Sequence, residues 1–127
     1  MLYNFTIFKP EKKKPDACVS ICSLGLGFNV GAITALGRPL YVYVAYDNEN
    51  NLIGIKPMNS KTGNTFEFIA KEKNSYIRLS SKQLIKMLEK EFKVTFEGKT
   101  TRYFTYWNDE LELLIVDIEK PLNRKGA

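Results

Sequence analysis

The order of elements constrains this chain more than any other feature. Between residues 17 and 58 it reads as a strand, a short capped helix and two strands joined at a turn, and between 75 and 121 it reads that way again. A single β-α-β-β unit leaves one apolar face of its sheet uncovered, and a second copy packed against it covers that face without a partner chain. The expected fold is therefore α+β and strand-rich. Two such units form one barrel-like or two-layer domain, with helices at 29–37 and 80–92. At 127 residues the chain has the length of one domain, 1–127, with internal repeats at 17–58 and 75–121.

In the first unit, residues 18–24 read as a strand broken by Gly25 and Gly27. Asn29 is a good N-cap, Val30, Ile33 and Leu36 follow at helical spacing, and Gly37 with Pro39 ends the helix. That helix carries no charge, so it is expected to be buried. Residues 40–46 alternate as a strand, the Asp- and Asn-rich run at 47–51 turns the chain, and 52–55 returns until Pro57 stops it. Cys18 and Cys22, four apart on one strand, have Cα atoms about 13 Å apart, too far for a disulfide. They are expected to stay reduced.

Ahead of this unit, 3–8 alternates as a strand and the lysine- and proline-rich run 9–16 ends it. After it, 65–70 and 76–79 read as strands. Ser80 with Gln83 fits a capping box, and Leu84, Met87, Leu88 and Phe92 make one apolar helical face. Residues 94–96, 102–107 and 111–118 complete the strands. The repeat aligns Leu26-Gly27-Phe28-Asn29 with Ile77-Arg78-Leu79-Ser80, and Leu52-Ile53-Gly54-Ile55 with Ile115-Val116-Asp117-Ile118.

Charge is polarised along the chain. The net charge is +5, and residues 71–102 hold nine Lys/Arg against four Glu, whereas 103–119 holds five acids and no base. Lys82, Lys86, Lys90 and Lys93 fall within about 80° of one another on the polar side of the second helix. With Arg78 and Arg102 they are the candidate nucleic-acid contacts, able to neutralise phosphates in a salt-sensitive way. The same stripe is also what the solvent face of any amphipathic helix looks like. Tyr41, Tyr43, Tyr103, Phe104, Tyr106 and Trp107 load two strands. Those that face outward beside Arg38 or Arg102 would stack on bases or anchor a protein partner, and those that face inward fill the core.

Ser23-Leu24-Gly25, the capped run from Asn29 to Leu36-Gly37, the strand 41–46, the turn Asp47-Asn48-Glu49 and the close at Lys56-Pro57 together resemble the AbrB-type transition-state regulator fold, the swapped-hairpin or looped-hinge barrel. The resemblance covers residues 18–57 and echoes in the second unit. It implies two interlocked units that bind DNA or serve as an antitoxin. The family's basic helix start is replaced here by the neutral Asn29-Val30-Gly31-Ala32, so no DNA contact carries over from the first unit.

No catalytic site is expected. The chain lacks histidine, and it has no Walker motif, no nucleophile elbow and no third glycine after Gly25-Leu26-Gly27. The carboxylates Asp109, Glu110, Glu112, Asp117 and Glu119 read as a solvated rim rather than a metal site, and no cofactor is implied. No apolar run approaches the ~20 residues of a spanning helix. The expectation is a cytoplasmic, non-enzymatic DNA-binding or regulatory protein, monomer or homodimer, that works through backbone electrostatics. The alternative is a protein-interaction module, such as a phage- or mobile-element-encoded inhibitor of a host protein.

Overall fold

Asn29 ties the first strand to the first helix. In the computed structural model, which describes residues 2–10 and 16–122, its side-chain oxygen accepts from the backbone N–H of Ala32 at 2.9 Å and of Cys18 at 3.0 Å. Its amide nitrogen donates to the Asp16 carbonyl at 2.7 Å. One side chain thus caps α1 (Val30–Ala35) and pins the start of β1 (Cys18–Cys22). Asn29→Ala is expected to lower the free energy of unfolding by about 2 kcal/mol, because a lost cap and an orphaned strand amide each cost about 1 kcal/mol. Urea denaturation measures it, and Asn29→Asp, which keeps the acceptor, should lose less than half as much.

The chain turns at Ser23 and Leu24, and Gly25 and Gly27 do not break the strand as expected from sequence. They lie inside β2 (Gly25–Phe28), which pairs with β1 and with β6 (Ile77–Ser80). A Cβ on Gly25 would sit 2.0 Å from the Leu79 carbonyl oxygen, so glycine is what allows β2 and β6 to approach. After α1 come β3 (Tyr41–Asp47) and β4 (Leu52–Met58). Pro57 does not stop β4. It pairs with Val42, and because β8 (Leu113–Pro121) pairs only with 52–55, the missing proline N–H costs no ladder bond on that side.

The expected strand at 65–70 shrinks to β5 (Phe66–Glu67), followed by a 3-10 turn at Ile69–Lys71. The cap of α2 (Lys82–Phe92) is Ser81, whose hydroxyl accepts from Leu84 N at 3.1 Å; Ser80 ends β6, so the Ser80–Gln83 capping box does not form. Residues 94–96 are not a strand. Phe96 is instead buried, with its N–H on the Glu89 carboxylate at 2.7 Å. β7 (Thr101–Asn108) and β8 close the chain. Residues 3–8, read as a strand, have no strand partner among the described residues and lie exposed, while most of the lysine loop and the segment after Leu122 fall outside the described residues.

All eight strands form one antiparallel sheet, ordered β5-β3-β4-β8-β7-β1-β2-β6, that curls into a nearly closed barrel-like wall. Its concave face, including Val19, Ile21, Leu26, Phe28, Ile53 and Val116, shares one apolar cluster with Ile33 of α1 and Ile85 and Leu88 of α2. Phe28 and Phe68 meet edge to face there, with ring centroids 5.1 Å apart. No helix among the described residues is long and apolar enough to cross a membrane. Both cysteines are free.

The order strand, helix, hairpin appears twice, as β2-α1-β3-β4 and β6-α2-β7-β8. The two hairpins share a turn. Each runs four residues between the closing pairs Asp47–Leu52 and Asn108–Leu113, and each ends on a left-handed residue, Asn51 at φ 56° and Glu112 at φ 53°. In each, the first side chain accepts from the N–H three residues on, Asn50 and Leu111 respectively. Hydrogen bonds from the Asn50 side chain and backbone hold the Asp47 carboxyl below the usual carboxylate range. These turns match Leu52 with Leu113, two residues from the alignment read in the sequence.

Candidate nucleic-acid interface

Side chains alternate across a strand, so the burial of Val19, Ile21, Leu26, Phe28, Ile77, Leu79 and Tyr103 sends their neighbours outward. On the convex face the register then aligns Arg102 with Ser20, Ser20 with Gly27, and Gly27 with Arg78 across four strands. Three strand spacings put the two arginine Cα atoms about 14 Å apart. Tyr76 precedes Arg78 on the same face and reaches back over Gly27, its hydroxyl 3.1 Å from Ser20 Oγ. A Cβ on Gly27 would lie 1.7 Å from that hydroxyl, so the phenol occupies the place of the missing side chain.

Tyr76 is the shared wall of two clefts. One, about 380 Å³, is bounded by Ser20, Asn29, Thr100 and Arg102. The other, about 660 Å³, is bounded by Glu67, Lys71, Lys73, Asn74 and Arg78. Together they make a trough with four cations and one carboxylate. Among the described residues, none of the four cations is in a salt bridge; those that form join Arg38 to Glu72, Lys56 to Glu112 and Lys120 to Asp117. Beyond Arg102 the same face of β7 carries Phe104 and Tyr106, each 51% exposed. The trough offers unpaired positive charge, hydroxyl and amide donors, and two open rings.

The residues expected from sequence divide between faces. Arg78 and Arg102 stand together in the trough. Lys82, Lys86, Lys90 and Lys93 are exposed, but on the outer side of α2, whose other side packs into the concave core. There Glu89 and Glu97 border the same cleft as Lys82 and Lys86, so the stripe is matched by acids. Tyr103 is buried at 4% exposure and burial pushes its phenol up, which removes it as a contact. Tyr41 and Tyr43 are half-buried on β3, separated from β7 by β4 and β8, so the two aromatic strands are not neighbours. Trp107 faces a different cleft, beside Gly37, Arg38 and Pro57. Arg38 is held by Glu72.

Ser20, Gly27, Lys71, Lys73 and Tyr76 are not among the contacts expected from sequence. The only local signal was the alternation Tyr76-x-Arg78 ahead of a helix cap, which many edge strands share. Among the described residues no group of acids and cysteines is placed to hold a metal. No family model matches the chain, and neither a curated protein nor a solved structure matches it.

Proposed function

We propose that this protein is a non-enzymatic nucleic-acid-binding protein that takes single strands along the convex trough, mainly through their phosphates. The observation that carries the reading is the cross-strand row Arg102–Ser20–Gly27–Arg78, with arginines at both ends that form no salt bridge among the described residues and the Tyr76 hydroxyl between them. A single strand suits this face better than a duplex, because Phe104 and Tyr106 offer planes for unstacked bases. In this reading the DNA-regulatory expectation from the AbrB-like resemblance of 18–57 is kept, and its charged face moves from α2 to the sheet. We read the chain as a duplicated unit, supported by the repeated element order and the shared hairpin turn.

Labelled mixed-sequence single strands of DNA and RNA, and a duplex of the same sequence, test the reading by anisotropy. Single strands should bind more tightly than the duplex. With four phosphate contacts, affinity should fall about 50-fold between ~50 and ~200 mM salt. No affinity for any of the three at the lower salt sinks the proposal.

A further inference from the structure

Residues 2–10 carry large apolar side chains and bury none of them. Leu2 is 99% exposed, Phe5 87% and Ile7 82%, and Tyr3 and Phe8 are nearly as open. The segment has the alternation of a strand, and the Tyr3 and Phe5 rings already stack side by side at 6.0 Å, as extended backbone places residues i and i+2. What it lacks is an edge to pair with.

The sheet has such an edge. β5 pairs only with Tyr41 and Val42 of β3, so the outer side of 43–47 has no backbone partner among the described residues. Five consecutive strand residues without proline or lysine leave backbone groups that can accept another strand, with the end of α2 meeting only the far end of this stretch, through Tyr46 on Phe92 and Asn48 on Glu91. Beside it on the convex face, Ala45 and Gly54 stand in register and leave a dent of about 140 Å³, walled by Leu52, Leu113 and Ile115. A side chain from an added strand would fill it. Charge is complementary in either direction. Lys9 and then Lys12, Lys13 and Lys14 follow the apolar segment, while Glu67 stands at one end of the open edge and Asp47 and Glu49 at the other.

We propose that residues 2–8 of one copy add as a ninth strand to the free edge of β3 in a second copy, with an apolar side chain in the Ala45–Gly54 dent. Donor and acceptor belong to the same chain, and in the arrangement proposed two copies exchange arms reciprocally and close as a two-fold dimer.

Light scattering on the full chain at micromolar to tens-of-micromolar concentration should find a dimer. Phe5→Lys with Ile7→Lys changes only exposed residues outside the core, and should raise the dimer dissociation constant at least about a hundredfold with an unchanged far-UV circular dichroism spectrum. Ala45→Lys should weaken the dimer similarly from the acceptor side. A mixture of the two variants should regain part of the lost association, because one arm–edge contact of the two is then intact; this recovery also excludes misfolding as the cause. The proposal is overturned by a monomeric full chain, including one whose arm amides are protected from exchange against its own edge. Unchanged dimerisation of the double-lysine variant overturns it as well.

Discussion

Reversing Arg78 and Arg102 together to glutamate is expected to weaken single-strand binding several-hundredfold near 100 mM salt. Two charge-assisted contacts are lost, each of about 1.5–2 kcal/mol, and about 1.4 kcal/mol corresponds to a factor of ten. The slope of affinity against salt should also become shallower by about 1.4, since each phosphate contact contributes about 0.7 on a single strand. Both residues are exposed, so the melting temperature should move little. The matched control is Lys82→Glu, Lys86→Glu and Lys90→Glu together, which makes the larger change in net charge but lies on α2. It should reduce affinity only a few-fold, through long-range field alone. The opposite ranking, with the lysine variant inactive and the arginine variant intact, would place the site on the helix.

Gly25→Ala is expected to destabilise the fold by about 3 kcal/mol, whereas Gly27→Ala, two residues along the same strand, should cost under about 1 kcal/mol. At Gly25 the new methyl meets backbone, the Leu79 carbonyl at 2.0 Å and Ser80 Cα at 3.0 Å. Relief requires β6 to move off β2, with loss of ladder bonds next to the α2 cap. At Gly27 the nearest atoms are the far end of Tyr76 and Ser20 Oγ, both side-chain atoms on the convex face that can swing outward. Thermal unfolding should separate them, with Gly25→Ala lower by about 10 °C. Gly27→Ala should be visible instead in binding, since the phenol that joins the two clefts is displaced. Equal melting temperatures for the two variants would contradict this account of the β2–β6 approach.

These two glycines show where reading a sequence locally stops. Both interrupt an apolar run, and locally that is a strand break. In the fold each answers to a residue more than 45 positions away, Leu79 for one and Tyr76 for the other, so neither role exists until β2 and β6 are paired. The site has the same character. The Lys82–Lys93 stripe was legible because helical periodicity places its members together within one segment. Arg78 and Arg102 were visible as charges, but their alignment is set by the pairings β7–β1, β1–β2 and β2–β6. Pro57 and Ser80 follow the same logic: a proline is tolerated where no neighbouring strand needs its N–H, and Ser81 rather than Ser80 caps α2 because Ser80 belongs to the β6 ladder.

By itself the sequence determined the elements that local signals set: the Asn29 cap, the β3–β4 and β7–β8 hairpins and the apolar face of α2. These depend on capping, turn chemistry and periodicity within a dozen residues. Tertiary structure alone decided which strands are neighbours, and therefore which side chains share a face. It separated the tyrosines of β3 from β7, buried Tyr103, set Arg102 and Arg78 at two ends of one row and left the outer edge of 43–47 open. Strand pairing joins residues far apart in the chain through backbone hydrogen bonds that every residue type but proline can make. The side chains therefore carry little record of it.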